Sequence, residues 1–155
     1  MNKLSFKEKF IIIISSMFGI GYIKLFSGSW ACILAVLFFI FLSKKVFFIF
    51  TLISLILAFL FSSKAEKIFG QKDCKKIVID DFAGMLVSFL FLPKDIRFII
   101  FGFFLFRAID FLKVPPADRL EEYTGSIGVV GDDLVASIYT NIILQLLKVA
   151  INIVS

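Results

Sequence analysis

Trp30-Ala-Cys-Ile-Leu-Ala-Val-Leu-Phe-Phe-Ile-Phe-Leu-Ser43-Lys44-Lys45-Val-Phe-Phe-Ile-Phe-Thr-Leu-Ile-Ser-Leu-Ile-Leu-Ala-Phe-Leu-Phe61 is an apolar block interrupted once, at Ser43-Lys44-Lys45. Its halves, of about 13 and 16 residues, fall short of the ~20 needed for a full membrane span. They predict a helical hairpin with lysines snorkelling at its tip, or two tilted, thin spans. The rest of the chain is of the same kind. It has 155 residues, 60% hydrophobic, with 22 Phe and a mean hydropathy of +1.02. A soluble domain is nearer half apolar, so the composition predicts one all-α, multi-helix integral membrane bundle occupying residues 1–155 as a single domain.

The net charge is +5. The lysines cluster between apolar runs, at Lys3/Lys7/Lys9, Lys44/Lys45 and Lys64/Lys67/Lys72/Lys75/Lys76. That placement suits loops facing the cytoplasm and anionic lipid, and points away from nucleic acid as a partner. Lys3 to Lys9 followed by Phe10-Ile-Ile-Ile-Ile14 imitates a signal peptide, but Ser15-Ser16 and Gly19-Ile-Gly21 offer no small-x-small cleavage site, so a retained first helix or entry segment is expected.

From Ile77 an apolar run carries Asp80-Asp81 and stops at Pro93-Lys94-Asp95. Asp95 is the expected N-cap of a helix from Ile96 to about Leu112, ended by Pro115-Pro116. Asp118-Arg119-Leu120-Glu121-Glu122 reads as a solvated face with local salt bridges. Gly125, Gly128 and Gly131, spaced by three, predict a loop able to bring backbone amides to an anion, with the last helix starting at Asp132-Asp133. No period-two strand is convincing.

Charges in such surroundings are costly unless paired or gathered round a ligand. Each candidate has a plain reading. Arg107 and Asp110, at i and i+3, form an ion pair on one helix face, or a phosphate grip beside a metal ligand. Asp80-Asp81 and Asp132-Asp133 are helix starts favoured by the dipole, or adjacent carboxylates that repel unless a cation lies near. Gly28-Ser29 is a turn and cap, or a source of phosphate contacts. Taken together, the carboxylates with Arg107 and Lys113 have the composition of a Mg2+-dependent phosphoryl-transfer site. The chain has no histidine, which removes Ser-His-Asp and Cys-His nucleophiles, His-ligated zinc and phosphohistidine chemistry. Cys32 and Cys74 suggest no metal knuckle, and Cys32 reads as a small core residue. Carboxylates remain as metal ligands, which favours a hard ion.

Ile77-Val-Ile-Asp-Asp-Phe-Ala-Gly84, Phe106-Arg-Ala-Ile-Asp-Phe-Leu-Lys-Val-Pro115 and Gly128-Val-Val-Gly-Asp-Asp-Leu-Val-Ala-Ser-Ile-Tyr139 resemble, in order, the three signature blocks of the phosphatidylglycerophosphatase A family. Gly19-Ile-Gly21 with Ser27-Gly-Ser-Trp30 is a looser fourth match. The resemblance implies a helical, Mg2+-dependent membrane phosphatase that hydrolyses phosphatidylglycerophosphate to phosphatidylglycerol and phosphate, its lipid substrate held in the bilayer. It would lie multi-pass in the bacterial plasma (inner) membrane with its site facing the cytoplasm. Asp80, Asp81, Asp110, Asp132 and Asp133 would be catalytic, with Asp80, Asp81, Asp132 and Asp133 on the metal and Arg107, Lys113, Gly28 and Ser29 on the phosphate. An Asp would orient the attacking water or itself become phosphorylated. The family pattern has Glu at Asp81, Pro-Gly-Thr at Ser27-Gly28-Ser29, Leu at Gly131 and acid before Ile77, where this chain has Lys75-Lys76. The competing readings are a non-enzymatic membrane protein, such as an ion carrier or assembly factor, and a family member that binds lipid phosphate without turnover. Nothing in the sequence fixes an oligomeric state.

Overall fold

Ser43, in extended conformation, caps the second long helix of the hairpin and turns the chain back on itself. The computed structural model describes residues 4–72, 74–120, 123 and 125–154, without the side chains of residues 152 and 154. Lys3, Glu121, Glu122 and Thr124 lie outside the described residues, so the salt-bridged face expected at 118–122 is described only to Leu120. The elements are α1 (Phe6–Ser15), a 3-10 turn (Ile20–Tyr22), α2 (Ser27–Phe41), α3 (Lys44–Phe69), α4 (Ile79–Ser88), α5 (Ile96–Leu112), α6 (Ala117–Leu120) and α7 (Ser126–Val154). Among the described residues there is no strand.

The local signals explain most boundaries. Ser5 and Glu8 form a capping box on α1. Gly70 ends α3 in the left-handed conformation, at φ 65°. Asp95 caps α5 by accepting from the Arg97 N–H at 2.8 Å, as expected. Three boundaries differ from expectation. α4 ends at Ser88, five residues before the expected stop at Pro93. Polar residues from Ser62 onward continue α3 to Phe69, because Ser62 and Ala65 are buried on its packed face. The last helix begins at Ser126, six residues before Asp132, and the expected glycine loop is corrected: Gly128 and Gly131 lie inside α7. Gly131 is there for closeness, since a Cβ on it would sit 3.3 Å from Leu120 of α6.

α4 is the axis of the molecule, packed against α2, α3, α5 and α7. Its residues are buried nearly all round, which is why its sequence reads as continuously apolar. Phenylalanines fill the space beside it: Phe89 stacks on Phe39 at 4.8 Å, and Phe82 meets Phe38 edge-on at 5.9 Å. A ten-residue helix that stops inside a bundle leaves carbonyls to satisfy. α7 supplies the donors. Asn141 Nδ2 donates to Ser88 O at 3.0 Å and Leu90 O at 2.9 Å, Gln145 Nε2 to Leu90 O at 3.0 Å, and Lys148 Nζ to Phe91 O at 3.1 Å.

The helices run alternately, so one end of the bundle gathers the starts of α2, α4 and α7 with the end of α5. The other end gathers Lys44, Lys94 and Lys148, with Lys94 Nζ donating to Ile40 O and Leu42 O at 2.8 and 2.6 Å. Lysines therefore sit at both ends. The expectation that every lysine cluster lies on one side is corrected, because the Leu42-Ser43 turn places Lys44 and Lys45 opposite Lys75 and Lys76. α3 and α7 are long and apolar enough to cross a membrane. Their outward faces stay uncovered, with Ile49, Ile53 and Ile56 on α3 and Ile142, Leu146 and Val149 on α7 each about half exposed.

Candidate active site

The first turn of α4 begins where Val78, its N-cap, donates to Ser15 O at 3.0 Å and accepts from the Phe82 N–H at 3.1 Å. Pinned at that point, the chain sends Asp80 and Asp81 into the bundle. Asp80 Oδ1 accepts the Asp81 N–H at 3.0 Å. α7 brings Asp133 against them, two turns inside that helix, so Asp132-Asp133 do not cap it. Oxygens of Asp80, Asp81 and Asp133 lie within 4.8 Å of one another. The helices can approach this closely because Gly84 lies where they meet: a Cβ on it would be 2.9 Å from the Phe106 ring and 3.2 Å from Asp133 O.

α5 contributes the cation. Arg107 Nη1 pairs with Asp81 Oδ1 and, at 2.9 Å, with Asp110 Oδ2, so one guanidinium nitrogen is shared by two carboxylates. Asp110 also meets the Asp133 carboxyl. Lys113 Nζ lies 3.4 Å from Asp132 Oδ2, while Asp132 Oδ1 is buried without a hydrogen-bond partner. The structure thus gathers Asp80, Asp81, Asp110, Asp133 and Arg107 directly, with Asp132 and Lys113 as a paired flank.

The remaining expected residues come from the start of α2. Gly28 is buried with its Cα against the Asp81 carboxylate: a Cβ there would be 2.2 Å from Oδ2. Its place is to leave room for that carboxylate. Ser29 lies in the same turn, partly buried, and Ser27 Oγ ties the turn to Lys75 O at 3.0 Å. Cys32 is buried as expected, with its Sγ 3.7 Å from Asp81 O. Sequence reading passed over Gly84 and Phe106. The signal for Gly84 was its position one helical turn after Asp80-Asp81.

Burial governs the electrostatics. It holds the Asp80 carboxyl well above the usual carboxylate range, with the Asp81 charge adding to the effect. It lifts Asp81 to about 6, against the opposing attraction of Arg107. Five carboxylates, from Asp80, Asp81, Asp110, Asp132 and Asp133, face two cationic side chains, Arg107 and Lys113. The excess negative charge, the all-oxygen donor set and the unpartnered Asp132 Oδ1 fit a hard divalent cation held chiefly by Asp80, Asp81 and Asp133.

No solved structure gives a significant match to the chain. A Haemophilus influenzae protein named phosphatidylglycerophosphatase A is 32% identical over 132 residues, covering 81% of this chain and 81% of that protein. A Bacteroides thetaiotaomicron protein provisionally named a phosphatidylinositol-3-phosphatase is 27% identical over 148 residues, covering 88% of this chain and 92% of that protein. The sequence pattern of the phosphatidylglycerophosphatase A family matches residues 13–148, a stretch that includes every carboxylate of the site. The chain belongs to the phosphatidylglycerophosphatase A family.

Proposed function

We propose that the protein is a Mg2+-dependent membrane phosphatase that hydrolyses phosphatidylglycerophosphate to phosphatidylglycerol and inorganic phosphate. The observation that carries this reading is the meeting of Asp80, Asp81 and Asp133 from two helices, with the Arg107 guanidinium beside them. Asp80, Asp81 and Asp133 would hold the ion, with Asp132 as a fourth oxygen donor nearby. When bound, Mg2+ supplies Lewis-acid polarisation of a phosphoryl oxygen and neutralises its charge.

The protein's own groups do the rest. Arg107 is oriented by Asp81 and Asp110 through one nitrogen, which leaves further N–H donors of its planar fork for phosphoryl oxygens. Lys113 adds positive charge at the same end of α5. The starts of α2 and α4 point positive dipole ends towards this region, which favours an anionic group there. Developing charge on the phosphoryl oxygens is thereby met by donors already in place.

The placement in the membrane is part of the proposal. α3 and α7, of 26 and 29 residues, are about 39 and 43 Å long and exceed the ~30 Å hydrocarbon core. α2 and α5, of 15 and 17 residues, reach only about 22 and 25 Å. A multi-pass bundle in a bacterial inner membrane, its carboxylate end at the cytoplasmic headgroups, would leave the lipid chains in the bilayer while the phosphate reaches Arg107. The relatives carry names for different lipid phosphates, so the assay must compare substrates. Purified protein should release phosphate from phosphatidylglycerophosphate in Mg2+ and not in EDTA, and faster than from phosphatidylinositol 3-phosphate. The reverse preference would reassign the substrate, and no metal-dependent release from either would reject the enzyme.

A further inference from the structure

Between α1 and α2, Met17, Ile20 and Gly21 are tied into the core, while Phe18 and residues 22–26 run outward from it. Tyr22, Ile23, Lys24, Leu25 and Phe26 are five exposed residues in succession, and Phe18 before them is 83% exposed. Met17, Phe18 and Phe26 take the left-handed backbone conformation, at φ 48°, 55° and 56°. Bulky side chains rarely adopt it, and here it directs two phenylalanines away from the protein. In water such a patch is unfavourable, so it calls for a partner with an apolar layer.

The segment beside it identifies the partner. Lys75 and Lys76 are stapled to this loop: Ser27 Oγ donates to Lys75 O at 3.0 Å, and Lys76 Nζ lies 5.4 Å from the centre of the Tyr22 ring. Gly21 packs on the Lys76 carbonyl so closely that a Cβ would be 2.0 Å from its oxygen. Among the described residues 17–26 and 74–77 that form this collar none is acidic, Asp73 lying outside the described residues, and Lys24, Lys75 and Lys76 are all exposed. Apolar rings with cationic ends beside them match the boundary between acyl chains and anionic headgroups. The collar also continues into the site, since Phe26 precedes the Ser27-Gly28 turn against Asp81, and Lys76 lies four residues before Asp80.

We propose that this collar is a docking surface for anionic phospholipid, holding the headgroup edge of the bilayer at the mouth of the carboxylate site and bringing lipid substrate to it. The inference rests on the phosphatase reading for its consequence in catalysis, but not for lipid contact itself. Trp30 is the chain's single tryptophan, is half exposed, and stands one helical turn from the collar, with its backbone N–H donating to Phe26 O at 3.1 Å, so its fluorescence reports on lipid at the collar's edge. The full chain in bilayer discs would be probed with phosphatidylglycerol or phosphatidylcholine brominated near the headgroup, at equal mole fraction. Brominated phosphatidylglycerol should quench Trp30 at least two-fold more, and Lys75→Glu with Lys76→Glu should abolish the difference. Phe18→Ser with Phe26→Ser should raise the apparent KM for phosphatidylglycerophosphate in bilayers several-fold while leaving turnover of a short-chain soluble analogue within two-fold. Equal quenching by the two lipids, or equal slowing of both substrates, overturns the proposal. If wild-type protein hydrolyses no substrate, the phosphatase reading fails and the quenching comparison still decides this one. If the serine pair does not fold, the charge reversal read by quenching decides it.

Discussion

At Asp81 one carboxylate meets the Arg107 guanidinium, the Cα of Gly28 and the oxygens of Asp80 and Asp133. Such crowding makes each site residue testable apart from activity. Asp133→Asn removes one of the repelling charges, so without metal its thermal midpoint should rise by a few degrees, about 1 kcal/mol. With Mg2+ the wild type should gain stability by ligand linkage, ~2.7 kcal/mol at a hundred times the dissociation constant, and Asp133→Asn should lose most of that gain. Melting curves in EDTA and in Mg2+ check both. Gly28→Ala places a methyl group on the Asp81 carboxylate, so it should reduce phosphate release at least ten-fold, measured at saturating Mg2+. The raised proton affinity of Asp81 sets a pH dependence. Its folded value, about 6, exceeds the ordinary 3.8, so the folded state holds the proton more tightly than the unfolded state. This contribution is full below about 3.8 and lost as pH rises through 6. In EDTA the midpoint should therefore fall between pH 4 and pH 7, and saturating Mg2+ should flatten that slope. A flat profile in EDTA would show that Asp81 is not held in this way.

The elements show what could be read locally and what could not. The hairpin turn at Ser43, the Asp95 cap and the α5 stop before Pro115 follow from side chains adjacent in sequence, and the sequence reading found them. The start of α7 was misplaced because Gly128 and Gly131 look like a loop until Leu120 is seen against Gly131. Gly28 likewise has a meaning only through Asp81, far along the chain. The carboxylates themselves were visible as charges in apolar runs, but their division into a trio and a Lys113-paired Asp132 depends on how α4, α5 and α7 meet. The sequence placed the end of α4 at Pro93, but it comes at Ser88, where the carbonyls at and just beyond the helix end are met by Asn141, Gln145 and Lys148 more than 50 residues later. Asn141→Leu leaves Val87, Ser88 and Leu90 carbonyls without that donor, and should destabilise the protein by about 1–3 kcal/mol in thermal or denaturant unfolding. Because α4 carries Asp80 and Asp81 at its other end, Mg2+ affinity should fall as well.

For the whole molecule, the alternating helices put lysines at both ends, so charge alone does not orient it. The proposed orientation does. Lys45→Cys should react with an impermeant maleimide in intact cells, and Lys72→Cys only in inside-out vesicles, with buried Cys32 and Cys74 silent. Reaction of both from the same side would contradict a membrane-crossing α3. The central claim, a metal-dependent phosphatase built on Asp80, Asp81 and Asp133, is tested most directly by phosphate release from phosphatidylglycerophosphate in bilayers. Wild type should turn over in Mg2+, stop in EDTA and recover when Mg2+ is restored, while folded Asp80→Asn and Asp133→Asn lose at least a hundred-fold. Release that persists in EDTA, or in either folded variant at the wild-type rate, would contradict it.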